Sequence, residues 1–195
     1  VTHLHSPLGL LQPVPLQVHA TYTREEVLAG FSASTVTARV VTSIGFNYRH
    51  APAVEHVREL VAQGALGRIT NVRAVFFSGY AAEPKGALSW RFKRELAGSG
   101  ALGDLLSHVV DLVSYLVAPV AEVSALTSTV YGQRPILPMG SATHFAVIED
   151  GELGPVENDD YAATLVRFAP TAAGPGAVGT LEASRTIVGL PSAQT

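Results

Sequence analysis

The chain has 195 residues, a formal net charge of −3, 47% hydrophobic residues and 15% charged residues. This length suits one domain, or one domain and part of another, with a large core. The negative charge and the lack of a Lys/Arg cluster argue against nucleic-acid binding, and the absence of cysteine excludes disulfides and thiol chemistry. No apolar run of membrane-spanning length and no signal peptide are recognised, so we expect a cytoplasmic protein without a membrane partner.

The apolar pattern divides the chain into an irregular lead-in over 1–40, a folded domain over 41–190 and a tail over 191–195. Helices are predicted over 23–30, 53–63 and 97–116, and strands over 34–46, 69–79, 122–130, 143–149, 161–168 and 178–188. Residues 81–88 are predicted to form a loop, and Asp159, Asp160 and Tyr161 are assigned to a turn and a strand edge. Because the later strands follow one another without helices, we expect an α+β fold with a mainly antiparallel open sheet and helices on one face.

Some of the predicted strands carry apolar residues on both of their faces. One face is expected to pack against the helices, which leaves the other face without a cover from this chain. We therefore expect a second copy of the chain to cover it, which makes a homo-oligomer through the sheet face.

The most informative stretch is A-G-S-G-A-L-G-D-L-L-S-H-V-V-D-L-V-S-Y-L, residues 97–116. Three glycines precede an apolar helix pattern, and Ser99 is a candidate N-cap. At about 100° per residue, Asp104, His108, Asp111 and Tyr115 fall within about 60° of one another. The pattern predicts a helix that is buried on most sides and has one narrow polar stripe.

Three interpretations of this stripe remain open from the residues themselves. It could be an ordinary solvent-facing side, although it carries none of the Lys, Glu and Arg that such sides usually show. A histidine with a carboxylate on either side could be a general acid/base. The same three side chains, Asp104, His108 and Asp111, could instead bind a divalent metal in an isomerase or lyase.

Several segments occur in the order found in one known family. They are G-F-N-Y-R-H-A-P-A-V (45–54), L-V-A-Q-G-A-L-G-R-I (60–69), W-R-F (90–92), G-S-G-A-L-G-D-L-L-S-H-V-V-D (98–111), V-S-A-L-T (123–127), E-N-D-D-Y-A-A-T-L-V-R-F (157–168) and G-T-L-E-A-S-R (179–185). Residues 42–189 thus resemble the C-terminal, substrate-binding half of the Gfo/Idh/MocA oxidoreductases, which include glucose–fructose oxidoreductase and inositol dehydrogenase.

The resemblance implies NAD- or NADP-dependent oxidation or reduction of a sugar, polyol or inositol-like hydroxyl group. It assigns the role of acid/base for the substrate hydroxyl to His108, and the role of an orienting or relaying carboxylate to Asp104. It places Asn47, Tyr48 and Arg49 where the family has cofactor or substrate contacts. Trp90 and Arg91 are candidates to line the sugar pocket, with a core aromatic as the alternative for Trp90. Asp111 continues the polar stripe as a further substrate-binding candidate, with a structural hydrogen bond as its alternative. A neutral imidazole suits this chemistry, because hydride loss from carbon must be accompanied by proton loss from oxygen.

The chain also departs from the family pattern. No G-x-G-x-x-G directly follows a predicted strand, no E-K-P occurs, and the only lysines are Lys85 and Lys93. Residues 1–40 do not resemble the first half of the family. We therefore interpret the chain as a fragment or truncated form, with no cofactor-binding residue assigned and with weak or no binding of NAD(H) expected from this chain alone. A non-catalytic remnant that pairs with a full-length relative is the alternative.

Overall fold

A computed structural model of the chain describes residues 45–137, 146–189 and 193–194. The predicted lead-in with its short helix lies outside the described residues. So do residues 143–145 and all but the last two residues of the strand predicted over 34–46.

The main structural unit is a five-stranded open sheet. Its strands are β1 (Asn71–Phe77), β2 (Val120–Ser128), β5 (Tyr161–Phe168), β6 (Val178–Ser184) and β7 (Ala193–Gln194). They lie in the order β2-β5-β6-β1-β7, and every neighbouring pair is antiparallel except β1 and β6, which are parallel. The expected mainly antiparallel open sheet is confirmed. The single parallel pair arises because helices lie between β1 and the later strands along the chain, which allows a crossover connection.

A two-stranded ribbon of β3 (Gln133–Pro135) and β4 (Leu153–Pro155) is inserted between β2 and β5 in the sequence. The strand predicted over 143–149 is wrong where it can be examined. Within residues 146–149, only Val147 forms a bridge, which joins it to Gly86. The last predicted strand is shorter than expected, since β6 ends at Ser184.

Helix α1 (Pro52–Ala62) matches its prediction closely, with Pro52 in the first turn where a missing amide proton costs nothing. It follows a 3-10 turn at Asn47–His50. A second 3-10 turn, Trp90–Phe92, leads into the short helix α2 (Arg94–Ala97).

The helix predicted over 97–116 is interrupted near its start. Helix α2 ends at Ala97, and Gly98 has a φ of 71°, a left-handed conformation that favours glycine and stops the helix. A π-helical turn, Leu102–Leu106, then continues directly into α3 (Ser107–Leu116). We call these two consecutive segments the core helix.

One face of the sheet packs against the core helix and forms the main hydrophobic core. Along β5, Ala162, Val166 and Phe168 are buried on this face, while Leu165 and Arg167 between them are exposed on the other. From the helix, the core receives its apolar side: Ala101, Leu105, Leu106, Val109 and Val113. The sequence alternation therefore reports correctly which face of β5 is covered.

Contrary to the expectation from the apolar runs, the stretch Arg94–Leu116 has the length and mean hydropathy, 1.2, of a membrane-spanning helix. In the structure it contains the break at Gly98, and Leu106 and Val109, each 1% exposed, pack into the core. Burial against the sheet accounts for the apolar residues on one side of this stretch, while Leu96 and Val110 are exposed.

Candidate active site

His108 lies on the core helix among three aromatic rings. The centroids of the Tyr48, Phe46 and Phe76 rings lie 5.3, 5.4 and 6.1 Å from that of the imidazole, and all three meet it edge to face. Its Nδ1 atom is buried and has no hydrogen-bond partner among the described residues. The rings therefore orient the imidazole by packing, and a buried ring nitrogen is left with unused hydrogen-bonding capacity.

Asp104 lies in the π-helical turn, one turn before His108, but its carboxylate contacts other residues. The Tyr80 hydroxyl donates to Oδ2 of Asp104 at 3.0 Å, and Nη1 of Arg91 donates to the same oxygen at 3.1 Å. Between the two described side chains of Asp104 and His108 no hydrogen bond is formed. Asp104 thus joins Arg91 and Tyr80 in a polar group that begins one helical turn before His108.

Tyr80 belongs to this group although the sequence did not identify it. It comes just before the loop predicted over 81–88, a position without a motif. Burial and the neighbouring Asp104 carboxylate raise the pKa of Tyr80 to about 12. The phenol therefore stays protonated in the neutral range and serves Asp104 as a hydrogen-bond donor.

Asp111 and Arg49 form a bidentate ion pair on the same side of the core helix. Nε of Arg49 donates to Oδ2 of Asp111 at 2.7 Å, while Nη2 donates to Oδ1. The guanidinium carbons of Arg49 and Arg58 lie 5.1 and 4.0 Å from the centroid of the Tyr115 ring. The ion pair of Arg49 and Asp111 attaches the 3-10 turn Asn47–His50 to the core helix, and so helps to hold Tyr48 against His108.

The remaining predicted substrate residues are placed differently from one another. Trp90 is 49% exposed, with the Arg91 guanidinium 4.7 Å from its ring centroid, so it is not a core aromatic. Asn47 is exposed, and its side chain has no hydrogen bond to the described part of the chain. The structure thus brings together Trp90, Arg91 and Asp104, and separately Tyr48, Arg49, His108 and Asp111, but it gives Asn47 no partner in either group.

The start of the core helix is capped by Asp159 rather than by Ser99. The two carboxylate oxygens of Asp159 accept hydrogen bonds from the amides of Gly100, at 2.9 Å, and Leu102, at 2.7 Å. A Cβ atom at Gly100 would collide with the main-chain oxygen of Asp159, which explains the glycine. The sequence assigned Asp159 to a turn and did not predict this cap, because a cap from a residue so distant in the chain leaves no local signal.

The glycines at the start of the core helix are candidates for binding the pyrophosphate of the expected cofactor, NAD or NADP. Gly98, Gly100 and Gly103 have the G-x-G-x-x-G spacing, but α2 precedes them instead of a strand. The Asp159 carboxylate already occupies amides that a pyrophosphate would need. These residues therefore do not fit the pyrophosphate of a dinucleotide.

Asp160 lies in a bend directly before β5, in keeping with its assignment to a turn, and it is buried. Its carboxylate pairs with Nε of Arg185 at 2.7 Å, and the two side chains are 0% and 1% exposed. The amides of Val130 and Tyr131 also donate to it. A buried pair that is hydrogen-bonded in this way fixes the position of the strand ends next to the site.

The described residues contain no group of three or more His, Cys, Asp or Glu side chains arranged to share a metal ion. The carboxylates of Asp104 and Asp111 are each hydrogen-bonded to an arginine. Their contacts therefore do not favour the interpretation of the polar stripe as a metal site.

Comparison with known proteins identifies the domain. The family model of the GFO/IDH/MocA C-terminal domain matches residues 54–193. Levoglucosan dehydrogenase from Pseudarthrobacter phenanthrenivorans is 40% identical over 194 residues, which is 96% of this chain and 48% of the relative. The chain thus spans about half the length of that curated relative.

Solved structures agree with this match. Levoglucosan dehydrogenase in complex with NADH and L-sorbose is 38% identical, with a TM-score of 0.68 over 80% of this chain and 38% of the other. An oxidoreductase domain protein from Kribbella flavida is 36% identical, with a TM-score of 0.67 over 87% of this chain and 42% of the other. Because the family model covers more than half of the residues, the chain belongs to the Gfo/Idh/MocA family, whose C-terminal domain it carries.

Proposed function

We propose that this chain is the substrate-binding half of a cytoplasmic NAD- or NADP-dependent dehydrogenase that acts on a sugar, polyol or inositol-like hydroxyl group. The observation that carries the proposal is His108, an imidazole on the polar side of the core helix, packed among aromatic rings and with an unsatisfied Nδ1. Its relatives support the substrate class, since one is a levoglucosan dehydrogenase solved with NADH and L-sorbose.

In this proposal, His108 accepts the proton of the substrate hydroxyl. Oxidation of a secondary alcohol removes a hydride from carbon and a proton from oxygen, and the imidazole is the group at this site suited to take the proton near neutral pH. Trp90 offers an exposed ring face to the apolar side of a saccharide. Arg91 and Asp104 provide a donor and an acceptor for its hydroxyl groups.

Residues 98–103 do not fit the pyrophosphate of the cofactor, and in this proposal the dinucleotide is held by the other half of the dehydrogenase. The test is a fusion of this chain to the dinucleotide-binding half of the levoglucosan dehydrogenase that it resembles. We expect the fusion to reduce NAD or NADP when supplied with levoglucosan, L-sorbose or an inositol, whereas the isolated chain binds NADH weakly or not at all. A fusion that folds but oxidises no saccharide, beside an active parent enzyme, would contradict the proposal and favour a non-catalytic remnant.

We also propose that the open face of the sheet associates with a second copy of the chain. Leu126 and Leu165 are 66% and 65% exposed there, close to an exposed ion pair of Glu122 and Arg167. Such a patch is typical of a protein–protein contact. We expect light scattering to show dimers or larger species, and Leu165→Glu to shift them towards monomer; a wild-type monomer at all concentrations would contradict this.

A further inference from the structure

The turn Trp90–Phe92 presents the two side chains that the proposed function places against a saccharide, and its last residue, Phe92, is 3% exposed in a hydrophobic cluster. The turn is three residues long, has no side-chain cap, and leaves Trp90 half exposed. The outward guanidinium of Arg91 is paired with Asp104, which is itself 37% exposed. The geometry of this part of the site therefore depends on what fixes the main chain of the turn.

Asn158 fixes that main chain from the interior. Its side chain is buried, and Nδ2 donates to the carbonyl oxygen of Arg91 at 2.9 Å. Its Oδ1 accepts a hydrogen bond from Nη2 of Arg185 at 2.8 Å, while Nη1 of Arg185 donates to the same Arg91 carbonyl at 3.2 Å. Because Arg185 is fully buried and paired with Asp160, this carbonyl is linked to a rigid part of the core.

The residue before Asn158 holds the end of the same turn. The Glu157 amide donates to the carbonyl of Phe92 at 2.9 Å, and its carboxylate accepts from the Arg94 amide and from Lys93. The hydrogen bond from Lys93 lowers the pKa of Glu157. Glu157 contacts the turn and α2 at the surface, whereas Asn158, together with Arg185, connects the Arg91 main chain to the interior.

We infer that Asn158 is a positioning residue of the saccharide site. It holds the main chain of Arg91, and so sets the direction in which the guanidinium reaches Asp104 and lies over the Trp90 ring. The inference rests on the proposed function, because that function assigns Trp90 and Arg91 to the saccharide. The sequence pattern indicates no role for Asn158, because its contacts come from residues that are distant in the chain.

The test uses two substitutions of Asn158, one of which replaces only the amide nitrogen and adds a negative charge beside Arg185. Asn158→Asp keeps the acceptor for Arg185 but replaces the donor that faces the Arg91 carbonyl with an oxygen. Asn158→Ala removes both. The matched control is Thr164→Val on β5, which deletes another buried hydrogen bond, from Oγ1 to the Leu181 carbonyl at 3.1 Å, away from the turn.

The first readout needs no catalytic activity, because Trp90 is the only tryptophan of the chain. Its indole N–H resonance, recorded on the full chain, reports the Arg91 guanidinium that lies over the ring. We expect this resonance to shift or broaden in both Asn158 variants and to remain unchanged in Thr164→Val. An unchanged resonance in folded Asn158→Asp would overturn the inference.

The second readout is the steady-state kinetics of the fusion enzyme. Since Asn158 acts on the residues that bind the saccharide, its loss should raise KM for the saccharide by about tenfold with a much smaller change in kcat. Thr164→Val should leave both constants near the wild-type values, and equal losses in all variants in step with their melting temperatures would overturn the inference. If the indole responds but the wild-type fusion has no activity, the proposed function fails while the role of Asn158 in holding the turn stands.

Discussion

The two sides of the core helix differ in what they contact and in what they contribute. The side facing the sheet is apolar, and Leu106, Val109 and Val113 are between 1% and 5% exposed. The opposite side carries Asp104 and His108, whose neighbours come from the segments before the helix. One helix therefore supports the fold with one side and presents the candidate chemistry with the other, so substitutions on the two sides should have separable effects.

The largest effect expected on the polar side is that of His108→Ala. In the fusion enzyme it should reduce kcat by about 10²–10⁴, the usual contribution of a general acid/base. The melting temperature should fall only modestly, because Nδ1 has no hydrogen-bond partner among the described residues and the fold loses only the contacts of the imidazole with the aromatic rings. Full activity in this variant, or a loss that only follows unfolding, would refute the assignment.

On the apolar side, Leu106→Ala should do the reverse. Leu106 is 1% exposed in the core, so the cavity left behind should lower the free energy of unfolding by about 2–5 kcal/mol. Below its melting temperature the variant should keep a KM and kcat close to those of the wild type. Denaturant unfolding measures the loss of stability, and steady-state kinetics measures KM and kcat. A large loss of kcat in the folded variant would show that the two sides of the helix are not independent.

The difference between the two sides also explains how far the sequence could predict the fold. Periodicity identified α1, β5 and the apolar side of the core helix, because each depends on local alternation and burial. It failed at Gly98, where one left-handed residue ends α2, and over 146–149, where Val147 forms only an isolated bridge. Neither the helix end at Gly98 nor the isolated bridge at Val147 is visible in the apolar periodicity from which the elements were predicted.

The sequence proposes the residues of the candidate site, but it does not predict their contacts. His108, Asp104 and Asp111 follow from helical spacing and from the family resemblance. Their partners do not, since Tyr80 lies outside any motif and Asp159 caps the helix from 59 residues away. Such pairings are set by the tertiary fold, so single-sequence reasoning placed Asp104 with His108, whereas the structure places it with Tyr80 and Arg91.

A smaller effect concerns stability at alkaline pH. The pKa of Tyr80 is raised to about 12 in the folded chain, so between pH 10 and 12 the unfolded chain loses this proton while the folded chain keeps it. Stability should therefore fall across this range, by up to about 3 kcal/mol from this group alone. Tyr80→Phe should flatten that part of the profile of unfolding free energy against pH.

The matched control for Tyr80 is Tyr161→Phe. The pKa of Tyr161 is also raised, chiefly by its hydrogen bond to Glu182, but it lies on the open face of the sheet. Removing it should alter the pH profile less, because water screens the pair there. Equal flattening by the two variants would show that burial beside Asp104 is not the source of the effect.

The smallest effect expected on the polar side is that of Asp111→Asn. The Asp111 side chain is 7% exposed and pairs with Arg49, which is 39% exposed, so the arginine can turn to water when the charge is removed. We expect a loss of about 1.5–3 kcal/mol in unfolding free energy, the scale of one hydrogen bond to a charged group. Turnover of the fusion enzyme should change little, since the pair attaches the turn beside His108 and does not touch the Asp104 group. Asp104→Asn, measured in parallel, should lower kcat or raise KM with less loss of stability, because its carboxylate is more exposed. If Asp111→Asn instead reduces kcat more than Asp104→Asn, then Asp111 takes part in the chemistry and the ion pair with Arg49 is not merely structural.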